Sequence, residues 1–271
     1  MKKLGFICTM LVFLVLCGMT VMAAPKFDKT NLAKGYITVT YDGDIKNLVK
    51  IKLELAGVPG YNLFTIITKD PINIPLTMGD GKYKLTIMEQ VSSNKYKVIS
   101  TEEFEVKVTS PNDVFLVPSP IVAYKADSKV VVDYTKLFTD KKLTTPAAKT
   151  ELLYTNMTVN FKYDFDKAND IVNKKYPDGY TPIVDSVYAA QKGICYDYSA
   201  ITAAVLRASG IPTKVVWGIA PEISSLHAWN EIYLDNKWVV VDFTYDAAYV
   251  QAGHKTTMAK DAKLFKPTKV Y

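Results

Sequence analysis

The hydrophobic period of the chain changes once, across a proline-rich break, and this change restricts the folds open to it. Before Ser110-Pro111 the apolar residues recur at every second position. In Val49–Leu55 the side chains of Val49, Ile51, Leu53 and Leu55 alternate with Lys50, Lys52 and Glu54, which gives a strand one buried and one wetted face. Further strands are predicted at residues 36–41, 62–68, 83–89 and 104–108, separated by turn formers at 57–60 and at Gly79-Asp80-Gly81. Short alternating strands at this spacing, with no helical period among them, predict an all-β immunoglobulin-like sandwich over residues 28–110. Pro111, Pro118 and Pro120 fix φ and remove amide donors, so residues 111–120 are expected to be a linker.

Beyond the break the pattern is mixed, and residues 121–271 are expected to form an α+β domain. Thr145-Pro146 predicts a helix start with proline at the first helical position, a stripe of Ala148, Leu152, Thr155 and Val159, and an end near Tyr163-Asp164. Turn formers follow, including Pro177-Asp178-Gly179 and Thr181-Pro182. The stretch from Tyr198 to Leu206 has no charge, and Tyr198, Ile201, Val205 and Ala208 recur at helical intervals before Gly210 and Pro212 stop the helix. A helix apolar on nearly all sides must be buried, here against a sheet.

The N-terminus reads as an export signal. Lys2 and Lys3 precede an uncharged run from Phe6 to Cys17, which loosens at Gly18 and reaches a small-residue cleavage site at Val21-Met22-Ala23. Residues 1–23 are therefore expected to meet a membrane only during export, and the mature protein is expected to be secreted or at the cell surface. An uncleaved anchor and a lipid on Cys17 are the alternatives, and Leu16 argues against the lipid. Cleavage removes Cys8 and Cys17, leaving Cys195 with no partner for an internal disulfide. An unpaired cysteine in an exported chain is an intermolecular bridge, a buried small hydrophobe or a reactive thiol.

The formal charge of +6 falls to 6 − 2 = +4 when the two signal lysines leave, and it is spread along the chain with Arg207 as the sole arginine. Nucleic-acid readers use clustered arginines and stacking aromatics, so this class of partner is not expected. An anionic envelope polymer would be attracted only weakly.

Gly193 and Cys195 lie at the mouth of the apolar helix. There the dipole and unpaired N–H groups favour a thiolate, and the same N–H groups can receive an oxyanion. A cysteine nucleophile needs a base, and the chain has two histidines, His227 and His254. His254 sits in a polar, loop-like stretch and is expected to be solvated. His227 opens a strand that turns at Asp235-Asn236 and returns through Lys237 to Asp242. In that register Leu234 faces Lys237, Trp229 faces Asp242 and His227 faces Thr244. Asp242 is then on the face of His227, diagonal to it at roughly 7–8 Å, within reach of a hydrogen bond. Cys195, His227 and Asp242 thus read as nucleophile, base and orienting acid for attack on a protein or peptide amide. Two separated histidines and one thiol offer no metal site, and no cofactor is expected. Asp164, Asp166 and Asp170, interleaved with Lys162 and Lys167, read as a solvated face.

Four motifs in order, Gly193-Ile194-Cys195-Tyr196-Asp197-Tyr198-Ser199, Leu206-Arg207-Ala208-Ser209-Gly210-Ile211-Pro212, His227-Ala228-Trp229-Asn230-Glu231 and Trp238-Val239-Val240-Val241-Asp242-Phe243-Thr244, resemble bacterial transglutaminase-like proteins. Phe161-Lys162-Tyr163-Asp164 is similar to the end of the preceding helix in that family, and the likeness covers roughly residues 121–250. The resemblance implies a papain-like α+β core, with the cysteine helix on an antiparallel sheet, and carries the family's triad roles to Cys195, His227 and Asp242. Phe243 stands where the family usually has proline, and the second oxyanion donor is open between Gln191 and Tyr188. The superfamily includes cross-linking transglutaminases, peptidases, other amidases and silent members, all the active ones working through a thioester. The reading is an exported cysteine-dependent amidase acting on an envelope protein or peptide, hydrolysis being favoured over cross-linking. A protein-glutamine transglutaminase and a catalytically silent cell-surface adhesion module are the alternatives.

Overall fold

A computed structural model describes residues 24–176 and 179–271. Residues 1–23, expected to be an export signal, and Pro177-Asp178 lie outside the described residues. The first half holds strands β1 (Lys26–Asp28), β2 (Tyr36–Thr40), β3 (Val49–Leu55), β4 (Asn62–Ile66), β5 (Ile72–Pro75), β6 (Gly81–Ser92) and β7 (Lys95–Val106). They form two antiparallel sheets, ordered β1-β2-β5 and β4-β3-β6-β7. The expected alternation in β3 is exact: Val49, Ile51, Leu53 and Leu55 are buried and the residues between them are not. Ile37 and Val39 from the first sheet share a core with Ile51, Leu53, Leu85 and Ile87 from the second. β1 and β5 were not foreseen, being too short to show a period. β7 begins at Lys95, well before the expected 104, because its first two-thirds are mostly polar and lean on the long β6–β7 hairpin for their pairing.

The proline-rich segment 111–120 is packed. Asp113–Leu116 is a short 3₁₀ turn, and Val114, Phe115 and Val117 are buried.

The second half contains α1 (Lys129–Asp140), α2 (Pro146–Asn160), β8 (Lys162–Tyr163), α3 (Phe165–Val172), α4 (Val184–Ala190), β9 (Lys192–Gly193), α5 (Cys195–Ala208), β10 (Thr213–Ile219), β11 (His227–Leu234), β12 (Lys237–Val241), α6 (Phe243–Gln251) and β13 (Lys266–Val270). An antiparallel sheet ordered β12-β11-β10-β13 carries α5 against β10 and β11. Thr145 caps α2 by accepting from the Ala148 amide at 3.2 Å, and Pro146 is the first helical residue, as expected. Its buried stripe, however, is Thr150, Leu153, Tyr154, Met157 and Thr158, while Thr155 and Val159 are exposed. The larger apolar side chains take the core, and the threonines can join them because Thr150 and Thr158 return their hydroxyls to the carbonyls of Pro146 and Tyr154, both at 2.8 Å.

Arg207, the sole arginine, is buried at the end of α5. It donates to the carbonyls of Thr213 (2.8 Å), Val117 (2.7 Å) and Tyr271 (3.0 Å), joining the helix to β10, to segment 111–120 and to the residue after β13. The Val270 carbonyl in turn accepts from Asn62 (3.3 Å) and Thr77 (2.9 Å), and Tyr271 packs edge-on against Phe64. These contacts knit the strand-rich half to the α+β half. No helix among the described residues is long and apolar enough to cross a membrane.

Candidate active site

Cys195 is the first residue of α5 and is partly exposed. The approach to it depends on Gly193: a Cβ there would lie 2.5 Å from the Cβ of Asp197. Asp197 is fully buried and returns to cap the helix, accepting from the Ile194 amide at 2.8 Å. A buried carboxylate is tolerated only when paired. Lys167 of α3 supplies the charge at 2.7 Å, and the Tyr180 hydroxyl donates to the other oxygen. This network holds the first turn of α5 and with it the thiol.

His227 opens β11 and is buried. Its Nε2 lies 2.7 Å from Asp242 Oδ2, which leaves Nδ1 for the hydrogen bond the ring makes with Cys195. Burial alone would lower the pKa of this ring. The hydrogen bonds and charges of Asp242 and Cys195 outweigh burial and push it up from 6.5 to about 10. A strongly held proton on His227 is the electrostatic partner that a thiolate requires.

The expected hairpin register is correct from Leu234↔Lys237 to Asn230↔Val241, with Asp235 and Asn236 both at positive φ as a tight two-residue turn demands. It does not continue to Trp229↔Asp242 or His227↔Thr244. The β12 strand ends at Val241, and Asp242 turns out to become the N-cap of α6, its Oδ1 accepting from the Tyr245 amide at 3.0 Å. The strand partner of His227 is instead Gly218 of β10. Asp242 therefore reaches His227 from a helix cap, with both carboxylate oxygens engaged. Phe243 occupies the first position of α6, where proline is also well accommodated, so its replacement of proline leaves the acid in place. Its ring is buried, edge-on to Tyr154 at 5.6 Å.

The two upstream oxyanion candidates are otherwise engaged or exposed. The Tyr188 hydroxyl donates to Asp133 at 3.0 Å, and Gln191 is the left-handed, exposed C-cap of α4. The aromatic hydroxyl coupled to the site is Tyr163 of β8. Burial raises its pKa and the charge of Cys195 raises it further. It was missed because only the parallel pairing of β8 with β9 brings residue 163 beside residue 195. The place of Asp197 at the third position of α5 was a visible capping signal.

His254 is exposed, its ring 5.7 Å from Tyr249. Asp164 caps α3 by accepting from the Lys167 amide and pairs with Lys192 at 3.4 Å, and Asp170 pairs with Lys175 at 3.3 Å. Among the described residues no three His, Cys, Asp or Glu side chains converge in a metal-holding group.

Residues 135–243, a stretch that contains Cys195, His227 and Asp242, match the model of the Transglutaminase-like superfamily. The α+β half of the chain is therefore transglutaminase-like over that stretch. A UPF0252 protein of Methanocaldococcus jannaschii is 28% identical to it over 165 residues, 56% of this chain and 42% of that one. The chain thus spans less than half the length of that curated relative. Among solved structures it is similar to a TGase, at 25% identity over 44% of this chain and 32% of that chain with a TM-score of 0.34. It is also similar to a proposed cysteine protease from Cytophaga hutchinsonii (12%, 87% and 83%, TM-score 0.44) and to red sea bream transglutaminase (12%, 77% and 47%, TM-score 0.29). Within this transglutaminase-like stretch, the site joins a thiol at a helix mouth, a buried histidine and a helix-capping aspartate.

Proposed function

We propose that this protein is an exported cysteine-dependent amidase in which Cys195, His227 and Asp242 form the catalytic triad. The observation that carries the reading is the buried 2.7 Å bond between His227 and Asp242 on a ring also hydrogen-bonded to Cys195. In the proposed reaction the Cys195 sulfur, its proton already held by His227, attacks the carbonyl of a protein or peptide amide. The oxyanion is met by N–H groups of the first turn of α5, with the Tyr163 hydroxyl as a side-chain donor. His227 returns the proton to the leaving amine, giving a thioester, and Asp242 fixes the ring tautomer throughout. Hydrolysis is favoured over transfer to an amine because the thiol is partly open to solvent.

Export rests on the charged, apolar and small-residue order of residues 1–23, and the same reading divides the mature chain at 111–120. The sheet orders β1-β2-β5 and β4-β3-β6-β7 support an immunoglobulin-like first domain. The test is matched assays of amide cleavage and labelled-amine incorporation with wild type and Cys195→Ala. Release of amine that is lost in the variant is expected. Equal rates for both proteins exclude the triad, and retained label in the wild type alone makes the enzyme a transglutaminase.

A further inference from the structure

A second cluster borders the site. Tyr245 and Tyr249, one turn apart on α6, stack with centroids 4.7 Å apart, and the His254 ring lies against Tyr249. Glu222, on the β10–β11 loop five residues ahead of His227, accepts through Oε2 from the Tyr245 hydroxyl and from the Tyr249 hydroxyl at 3.4 Å. Tyr245 is itself the residue whose amide caps onto Asp242, so the cluster begins within one helical turn of the triad acid. Glu222 is exposed, and its Oε1 makes no hydrogen bond among the described residues. Tyr249 is 39% exposed.

Fold stability does not call for this arrangement, because surface tyrosines and a surface carboxylate bury little. What they present together is a flat π-surface edged by a free carboxylate oxygen. That combination attracts an ammonium or guanidinium by cation–π and ionic contact at once. The Tyr245 hydroxyl holds Oε2, with the Tyr249 hydroxyl 2.9 Å from that of Tyr245 and 3.4 Å from Oε2, so the free oxygen of the carboxylate is pre-positioned. We propose that Glu222, Tyr245 and Tyr249 form a specificity subsite for a lysine or arginine side chain next to the amide that Cys195 attacks. The proposal rests on the amidase reading for its purpose, and its test does not depend on turnover.

The test is binding of a short glutamine-containing peptide to full-length Cys195→Ala protein by isothermal titration. The probes are one peptide with lysine beside the glutamine and its norleucine analogue, which keeps the apolar stem and loses the charge. The lysine peptide is expected to bind about five- to tenfold more tightly, the sum of one exposed cation–π contact and one exposed ion pair. Glu222→Gln, which keeps an acceptor for both tyrosines, and Tyr249→Leu should each remove most of that difference, and Glu222→Lys should reverse it toward a glutamate analogue. Equal affinity for lysine and norleucine peptides, or a preference that survives all three substitutions, overturns the subsite. A lysine preference without amide chemistry in the wild type would uphold the subsite and sink the amidase reading.

Discussion

Asp242 performs two tasks with two oxygens, and substitutions can separate them. Oδ2 holds the His227 ring and Oδ1 caps α6 through Tyr245. Asp242→Asn keeps a good capping residue, so the helix should lose little stability. What it loses is the charge opposite the imidazolium. A hydrogen bond to a charged group contributes about 1.5–3 kcal/mol, which corresponds to a drop of about 10- to 150-fold in kcat/KM at about 1.4 kcal/mol per decade. The amide of Asn also offers an N–H to Nε2, which would turn the ring to the tautomer with its proton toward Cys195 and push the loss to the upper end. Asp242→Ala removes the cap as well, at about 1 kcal/mol, and leaves the His227 ring nitrogen and the Tyr245 amide without their partner. The expected outcome is therefore two variants with similarly poor activity on a peptide amide, of which only the alanine protein melts clearly lower by circular dichroism. If Asn retains kcat/KM within threefold of wild type, Asp242 is a helix cap and the triad assignment is wrong.

Three further outcomes follow from named contacts. Because the folded-state pKa of His227 is raised, to about 10 from 6.5, its charge contributes stability that is complete below pH 6.5 and is lost as pH rises toward 10; the melting-temperature gap between wild type and His227→Gln should narrow across that window, and a constant gap would contradict the charged pair. Arg207→Met takes a donor from three carbonyl oxygens, of which that of Tyr271 keeps the Val215 amide, at about 1–3 kcal/mol for each buried oxygen left without a partner; urea unfolding should show a loss of at least about 2 kcal/mol, only partly restored by Arg207→Lys because an ammonium cannot reproduce the guanidinium fork, and a loss under 1 kcal/mol would refute the role. Tyr163→Phe should lower kcat about tenfold or more if its hydroxyl meets the oxyanion, whereas Tyr188→Phe should leave kcat within twofold, since its hydroxyl serves Asp133; the reverse pattern would reassign the donor.

The strand edges and the hairpin were legible because they rest on local chemistry. Val49–Leu55 shows its two faces in its own alternation, and Asp235-Asn236 supplies the left-handed residues that a two-residue turn needs. Cys195 was legible for the same reason, with Gly193 before it and an uncharged helix after it. The α2 stripe was not, because positions three and four apart fit two neighbouring faces equally, and only the size of Leu153, Tyr154 and Met157 against the core selects one. β5 and β8 are too short for any period and exist only through their partners.

By itself the sequence marked the change from a strand-rich to a mixed α and β half, singled out Cys195, His227 and Asp242 as the residues to watch, and set the register of the hairpin that leads to Asp242, since each depends on neighbours within a few residues. Tertiary structure decided how they meet. Asp242 left its strand for a helix cap, Lys167 crossed from α3 to neutralise Asp197 beneath the cysteine, and Tyr163 arrived next to the thiol through β8. These are contacts between segments far apart in the chain, where charge and hydrogen-bonding capacity are matched across buried surfaces and leave no periodic mark on either segment.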